Sequence, residues 1–273
     1  METIRQIEAF RSALNWRRNK RTVGLVATMG SLHDGQVAMI KACRAQSDIV
    51  IATIYVNPLR FENREAYAAY PRTPSADTDL LETLKVDFLF APTDEEIFPD
   101  GLDHALTVQH RGSRDPKLES QATIWLKLLN ITKPDLVVIG EKDYGQLVAL
   151  KQVIREFSID TEVVSIPIVR DVDGVALSGN LTRLTSDQRS QAAILHQTLF
   201  DLASAIKDGA RNYNKLQQTA LIALKGGGFD TRDVNIRDAD TWLAPAESTS
   251  HLRVSAIVSI GKLILTDNIG IDL

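Results

Sequence analysis

Apolar and polar segments alternate along the first two thirds of the chain in a pattern typical of strands and helices. The segments TVGLVAT (22–28) and DIVIATIYV (48–56) are short, apolar and rich in β-branched residues, as in strands buried on both faces. Residues 34–46 between them have the length and pattern of a helix, so the three segments form a predicted βαβ unit. Further strands are predicted at 86–92, 135–140 and 161–169, and further helices at 75–85, 118–130 and 146–157. This alternation predicts a parallel, doubly wound α/β sheet that binds ligands at the carboxyl ends of its strands.

The last third of the chain has a different pattern. Its predicted helices are 186–207 and 212–225, and the run GGG follows them. Two runs of alternating apolar and polar residues then turn at Gly261-Lys262. This pattern predicts a smaller α+β region with helices and a small sheet. The polar turn RDVDG places the start of this region near Val169.

Composition and charge narrow the function classes. The 273 residues are 44% hydrophobic and 24% charged, which indicates a globular protein with a large core. The net charge of −4 comes from interspersed signs without a basic stripe, so nucleic acid is not an expected partner. The polar, helix-like start METI and the absence of a long apolar run predict a cytoplasmic protein that does not enter a membrane. The single Cys43 excludes an intrachain disulfide, and we expect it to be buried.

Two segments that follow predicted strands carry candidate site residues. In ATMGSLHDGQ, Gly30 lets the chain turn into a helix whose N-terminus attracts anions, and His33 can reach a phosphate from that turn. The alternative is that His33 caps the helix or lies at the surface. In YVNPLRF, Asn57 and Arg60 are placed at the carboxyl edge of the sheet, and the alternative is a simple Asx-Pro turn.

Two later segments carry further candidates. In GEKDYGQL, Gly140 ends a predicted strand, and the polar residues Glu141, Lys142, Asp143 and Gln146 crowd the junction with the next helix. Their mixed chemistry favours a phosphate and magnesium site over a solvated run of charges. In VRDVDGVALSGN, an exposed turn leads to Ser178 and Gly179, which is a weak signal by itself.

Taken together, the motifs are similar to those of one known family. They are TMGSLHDGQ, YVNPLRF, YPRTPSAD, GEKDYGQL, VRDVDGVALS and LILTDNI, in that order. The sequence therefore resembles the pantothenate synthetase family of pantoate-β-alanine ligases over its whole length. The resemblance implies a Rossmann-like nucleotidyl-transferase domain at 1–168, a smaller C-terminal α+β lid domain at 169–273, and a homodimer. It also implies a two-step reaction, in which pantoate attacks ATP to give an acyl adenylate and pyrophosphate, and β-alanine then displaces AMP.

The resemblance assigns roles to matching residues, with ATP and Mg²⁺ as cofactors and a small acid and amine as substrates. His33, Lys142 and Gln36 are the implied catalytic residues, and Asp143 lies in the nucleotide and magnesium region. The implied ATP-binding residues are Met29, Gly30, His33, Gly140, Lys142, Asp143, Val169, Leu177, Ser178 and Gly179. The implied acid-binding residues are Met29, Asn57, Arg60 and Gln146.

The sequence departs from the family pattern at four places. Gln36 replaces the second signature histidine, and a glutamine cannot carry a positive charge. The lid motif Ser-Ser-Arg-Asn reads Ser-Gly-Asn-Leu at 178–181, which removes an arginine. A shortened loop, VQHRGSRDPKL, keeps Arg114 but has Lys117 where histidine is expected. Arg60 replaces a glutamine that holds the acid.

Three functions remain open from these departures. The chain is an active pantoate-β-alanine ligase, a ligase with an altered acid or amine substrate in a specialised pathway, or a catalytically weakened binding homologue. Loss of catalysis predicts scattered drift, whereas His33, Lys142, Asp143 and Gln146 are all present. This retention favours a working or altered ligase.

Overall fold

The first two thirds of the chain contain a six-stranded parallel sheet. The computed structural model describes residues 1–109, 116–178, 181, 184–261 and 263–273. The strands of the sheet are β1 (Glu2–Ile4), β2 (Val23–Thr28), β3 (Ile49–Ile54), β4 (Phe88–Phe90), β5 (Leu136–Gly140) and β6 (Glu162–Ile166). The helices that connect them are α1 (Ile7–Arg18), α2 (Asp34–Gln46), α3 (Arg64–Ala68), α4 (Pro74–Thr83), α5 (Asp94–Ile97), α6 (Pro116–Thr132) and α7 (Tyr144–Glu156). Short 3-10 helices occupy Pro58–Arg60, Leu102–His104 and Glu141–Asp143.

The strand order places a switch point between β2 and β5. The order is β1-β4-β3-β2-β5-β6, and β2 pairs in parallel with β3 on one side and with β5 on the other. From β2 the chain continues to β3 and β4 on one side, and later to β5 and β6 on the other. In open α/β sheets, ligands bind beyond the carboxyl ends of the strands at such a point. A ligand-binding site is therefore expected at the segments that follow β2 and β5.

Apolar residues of β2, β3 and β4 form a core with α2 and α4. The fully buried members include Val26, Val50, Ile40 and Leu81. Cys43 belongs to the same core and is 0% exposed, so its predicted burial is confirmed, and this burial raises the pKa of its thiol. Continuous apolar runs form these strands because both faces of a parallel sheet are covered.

The last third forms a second, antiparallel sheet. Its strands are β7 (Asp230–Asp238), β8 (His251–Ile260) and β9 (Leu263–Asp272), in the order β7-β8-β9, and its helices are α8 (Ser186–Lys207) and α9 (Tyr213–Gly226). The inward faces of these strands and helices form a separate apolar core. The predicted fold class, a parallel α/β sheet followed by a smaller α+β region, is confirmed.

The chain divides into two compact units. The first comprises Met1–Glu141 and Ala149–Ile166, and the second comprises Lys142–Val148 and Pro167–Leu273. The short segment that contains Lys142 thus belongs to the second unit. The predicted domain boundary before Val169 stays a prediction. Among the described residues, no helix is both long enough and apolar enough to cross a lipid bilayer.

The structure differs from the sequence prediction at two strands. The polar start of the chain, predicted as helix-like, contains β1, which pairs with β4. Strand β7 was not predicted, because only Val234 and Ile236 of its nine residues are buried and the rest are partly or fully exposed. Of the predicted turn between β8 and β9, Lys262 lies outside the described residues.

Candidate active site

A buried carboxylate fixes the loop after β2. Asp77 in α4 is 3% exposed, and its two oxygens accept hydrogen bonds from Ser31 N (2.9 Å) and Leu32 N (2.8 Å). Gly30 begins this loop with a φ of +79°, a left-handed conformation that residues with a Cβ rarely adopt. A Cβ on Gly30 would also lie 3.1 Å from Asp77 Oδ2. Hydrogen bonds to Asp77 and the backbone conformation of Gly30 therefore define the shape of this loop.

His33 and Gln36 form a capping box at the start of α2. His33 Nδ1 accepts a hydrogen bond from Gly35 N at 3.2 Å, and Gln36 Oε1 accepts one from His33 N at 3.1 Å. Because Nδ1 is an acceptor, the neutral ring carries its proton on Nε2 and presents that N–H as a donor. His33 thus caps the helix, as the alternative interpretation expected.

Asn57 fixes the turn after β3. Its side chain is 4% exposed, Oδ1 accepts from Leu59 N at 3.0 Å, and Nδ2 donates to the carbonyl of Ser120 in α6 at 3.2 Å. This is the Asx turn that the sequence left open. Asn57 thereby sets where the following 3-10 helix, which contains Arg60, begins.

Arg60 and Met29, two candidate acid-binding residues, are brought together. Arg60 is half-buried, and its Nη1 lies 3.5 Å from Met29 Sδ. Burial raises the pKa of the nearby Tyr70 hydroxyl, and the positive charge of Arg60 acts in the opposite direction. The guanidinium of Arg60 therefore lies beside the residue that precedes Gly30.

An open cleft of about 420 Å³ adjoins this loop in the first unit. Asp94 accepts one hydrogen bond from the Tyr55 hydroxyl and one from the Tyr67 hydroxyl, each at 2.9 Å. Burial, followed by the negative charge of Asp94, raises the pKa of Tyr55, so that hydroxyl stays protonated and acts as a donor. Residues lining the cleft include Met29, Gly30, Tyr55, Tyr67, Arg72, Asp77 and Asp94. Sequence reasoning missed the last five, although the quoted motif YPRTPSAD contains Arg72 and Asp77.

Gly140 ends β5 at the carboxyl edge of the parallel sheet. It pairs with Ile166 of β6, and a Cβ placed on it would lie 3.5 Å from Met39 Sδ. Glu141 Oε1 accepts a hydrogen bond from Ser165 Oγ at 3.1 Å. The end of β5 therefore has no side chain at Gly140, just before the 3-10 helix that begins at Glu141.

Lys142, Asp143 and Gln146 lie together in the second unit, as the GEKDYGQL motif predicted. Gln146 Nε2 donates a hydrogen bond to Asp143 Oδ2, which links the two side chains. Burial lowers the pKa of Lys142, and the negative charges of Asp267 and Asp143 act in the opposite direction. A half-buried lysine with carboxylates nearby can serve as a point charge for a phosphate.

The segment Val169–Ser178 forms a closed turn. Arg170 and Ala176 form a β-bridge, and Leu177 N donates to the carbonyl of Val169 at 2.9 Å. The hydroxyl oxygen of Ser178 is buried and has no hydrogen-bond partner among the described residues. A buried hydroxyl of this kind suits a ligand oxygen, because an unsatisfied polar atom carries a free-energy cost. Gly179 and Arg114 lie outside the described residues.

The carboxylate of Asp143 fits a magnesium ion that arrives bound to a nucleotide, not one held by protein ligands alone. Among the described residues, no group of three histidine, cysteine, aspartate or glutamate side chains is arranged to hold a metal ion. Mg²⁺ that arrives with a nucleotide needs only one or two protein carboxylates, because phosphates and waters complete its octahedron. The exposed carboxylate of Asp143 can supply that contact.

Comparison with known proteins decides the family. The family model described as pantoate-beta-alanine ligase matches residues 2–270. The chain belongs to the pantoate-β-alanine ligase family. This confirms the resemblance drawn from the six motifs.

Individual members of the pantoate-β-alanine ligase family align over nearly the whole chain. Pantothenate synthetase of Thioalkalivibrio sulfidiphilus is 36% identical over 100% of this chain and 99% of its own length. The crystal structure of pantothenate synthetase from Thermus thermophilus has a TM-score of 0.85 at 30% identity, covering 98% of this chain and 99% of that one. The pantoate-β-alanine ligase of Francisella tularensis, solved in complex with beta-gamma ATP and β-alanine, has a TM-score of 0.79 at 29% identity, covering 98% and 97%.

Proposed function

We propose that this chain is an ATP-dependent ligase that joins pantoate, or a close analogue, to β-alanine through an acyl adenylate. The observation that carries the proposal is the match of the ligase family over residues 2–270. The relative from Francisella tularensis, solved with beta-gamma ATP and β-alanine, supports ATP and β-alanine as two of the substrates. A homodimer and a cytoplasmic location accompany this proposal.

The proposed reaction has two displacements. A carboxylate oxygen of the acid attacks the α-phosphorus of ATP, the bond to the β-phosphate oxygen breaks, and pyrophosphate leaves. The amine then attacks the acyl carbon of the mixed anhydride, loses a proton, and AMP leaves. The first step requires two anions to be held together and the added negative charge on phosphorus to be stabilised.

His33 and the start of α2 are suited to the phosphates of the nucleotide. Hydrogen bonds fix the ring at Nδ1 and the backbone at the N–H group, so Nε2 is held in one direction. A donor that is already oriented costs no reorganisation when charge develops. The positive end of the helix dipole adds to this effect.

Lys142 and Asp143 are the charged residues of the second unit that are proposed to bind the nucleotide and its magnesium ion. Lys142 would contact a phosphate, and Asp143 would contact Mg²⁺, which neutralises phosphate charge when it is bound with ATP. Gln146 is proposed to bind the acid together with Met29. The buried hydroxyl of Ser178 is proposed to donate to a phosphate oxygen.

Arg60 favours a second candidate function, namely a ligase with an altered acid substrate. The guanidinium lies 3.5 Å from Met29 Sδ, at the position where the family uses a neutral glutamine. A permanently charged fork of donors attracts a carboxylate or phosphate more strongly than an amide does. The acid of this variant function would carry a second anionic group.

The test is a product assay on the purified chain. Protein, ATP and Mg²⁺ are mixed with pantoate and a panel of other acids, each with β-alanine and other amines, and AMP, ADP and pyrophosphate are measured. The proposal expects AMP and pyrophosphate with one acid of the panel. Release of ADP and phosphate would indicate an acyl-phosphate mechanism instead. A folded sample that binds no nucleotide by calorimetry would indicate a protein without ligase function.

A further inference from the structure

The motif LILTDNI in β9 contains a buried carboxylate to which the proposed reaction gives no role. Asp267 is 3% exposed, and Arg170 donates to both of its oxygens at 2.8 Å. Oδ1 also accepts from Asn268 N at 2.7 Å, and Oδ2 lies 3.3 Å from His196 Nδ1. Both carboxylate oxygens therefore contact protein groups, which is the arrangement of a structural carboxylate.

Through Arg170, Asp267 holds the turn that carries Val169, Leu177 and Ser178. Arg170 Nη1 also donates to the carbonyl of Gly174 at 2.9 Å, which closes the turn from inside. The ring of His196 packs against the same glycine, since a Cβ on Gly174 would lie 2.6 Å from His196 Cδ2. The φ of Gly174 is +79°, so this position requires glycine for its backbone as well. The turn is thereby fixed to β9.

Asn268, the residue after Asp267 in β9, contacts the segment of Lys142. Asn268 Nδ2 donates to the backbone carbonyl of Lys142 at 2.8 Å. Lys142, Ser178, Thr266 and Asp267 line one small enclosed cavity in the second unit. The residues proposed to contact phosphate from this unit therefore converge on the Asp267-Asn268 pair.

We propose that Asp267 is a positioning residue that sets Lys142 and the Val169–Ser178 turn in place for adenylation. The inference rests on the proposed function, because it concerns the nucleotide contacts of that reaction. The alternative is that Asp267 only neutralises Arg170, as a buried ion pair does in many proteins. The two interpretations differ in one respect. A residue that positions both segments acts partly through Lys142, so part of its effect depends on that lysine.

A double-mutant cycle between Asp267→Asn and Lys142→Met measures this dependence. For each of the four proteins, the ATP dissociation constant and the rate of pyrophosphate release are determined, together with the KM for the acid. Asp267→Asn is expected to weaken ATP binding and slow release by about ten- to a hundredfold in total, the range of a hydrogen bond to a charged group. In the Lys142→Met background, the same change is expected to have a clearly smaller effect, because only the part that acts through the Val169–Ser178 turn remains. An equal effect of Asp267→Asn in both backgrounds overturns the proposal.

Two further variants separate positioning from folding. Asp238→Asn removes another carboxylate of the second unit, which accepts from Asp240 N and Thr241 N at 2.9 Å, and it is expected to leave pyrophosphate release unchanged. If Asp267→Asn does not fold, Asp267→Asn/Arg170→Gln removes both members of the ion pair and leaves no unpaired buried charge. That variant is expected to fold and to release pyrophosphate slowly, and the natural rate would overturn the proposal. If the natural chain binds ATP but forms no AMP, the proposed function is wrong and the positioning role of Asp267 is still testable. The ATP dissociation constants of the four proteins then provide that test.

Discussion

Gln36 Oε1 accepts a hydrogen bond from His33 N at 3.1 Å, at the position where the family signature has a second histidine. The bond completes the capping box of α2, in which His33 Nδ1 accepts from Gly35 N. The substitution therefore exchanges a group that can carry positive charge for one that caps a helix.

Gln36→His reverses this exchange. We expect the variant to lose about 0.5–2 kcal/mol of unfolding free energy, the usual range for a helix cap. Below about pH 6.5, where imidazole is protonated, we expect pyrophosphate release with pantoate to rise roughly five- to tenfold, since charged hydrogen bonds exceed neutral ones. Urea denaturation and the release assay measure the two effects.

Gln36→Met is the matched control for this prediction. It keeps the length of the side chain and removes both the cap and any charge. We expect the same loss of stability without the gain in rate. A site that has been rebuilt for a different acid would instead respond to Gln36→His with an unchanged or lower rate.

Lys142→Met separates catalysis from stability. We expect pyrophosphate release to fall by about ten- to more than a hundredfold, the range of a charge-assisted contact to phosphate. Burial lowers the pKa of Lys142, so its charge disfavours the folded state until the pH rises through that pKa. At neutral pH the variant is therefore expected to unfold at the same temperature or a higher one.

The exposed Lys151 of α7 supplies the control for this prediction. Lys151→Met removes the same charge nine residues further along the chain and is expected to leave both the rate and the unfolding temperature unchanged. A parallel loss of rate in both variants would show a general effect of charge, and the proposed role of Lys142 would then be wrong.

Local patterns predicted the fold well because buried parallel strands are continuous apolar runs, and α2 was predicted at 34–46, where it lies. Strand β7 was not predicted because most of its side chains are partly or fully exposed. Its sequence therefore lacks a sustained alternation of apolar and polar residues. The same limit applies to the site. Candidates that directly follow a strand could be proposed from the sequence, whereas Asp77 and Asp267 contact partners 46 and 97 residues away in sequence. Such pairings depend on the tertiary structure, which no local pattern records.

His251 and Asp272 form a pH-dependent pair at the end of the second sheet. His251 Nδ1 lies 2.9 Å from Asp272 Oδ1, and this hydrogen bond raises the pKa of His251 above its usual value of 6.5. Because the folded pKa is the higher one, the pair stabilises the fold below about pH 6.5, and this contribution is lost as pH rises through the folded pKa. An NMR titration is expected to show the raised value, and Asp272→Asn is expected to lower it. A histidine that titrates identically in both proteins would contradict the pairing.

Arg60 sets the acid preference in the last prediction. Its guanidinium lies 3.5 Å from Met29 Sδ, and the buried Asn57 holds the backbone turn that precedes it. A guanidinium is larger than the carboxamide that the family uses and is always protonated. We therefore expect pantoate to be a poor substrate of the natural chain, and an acid with a second anionic group to be a better one. Arg60→Gln is expected to shift the preference toward pantoate by about ten- to a hundredfold, the range of a charge-assisted hydrogen bond gained or lost.

Measuring kcat/KM for both acids in both proteins tests the role of Arg60, with Arg64→Gln as the matched control. Arg64 is exposed and lies four residues further along the same segment, so its loss changes the local charge equally without touching Met29. Its acid preference is expected to stay that of the natural chain. If Arg64→Gln shifts the preference as far as Arg60→Gln does, long-range charge and not a specific contact selects the acid. Efficient use of pantoate by the natural chain, unchanged in Arg60→Gln, would contradict the prediction, because the guanidinium would then have no part in binding the acid.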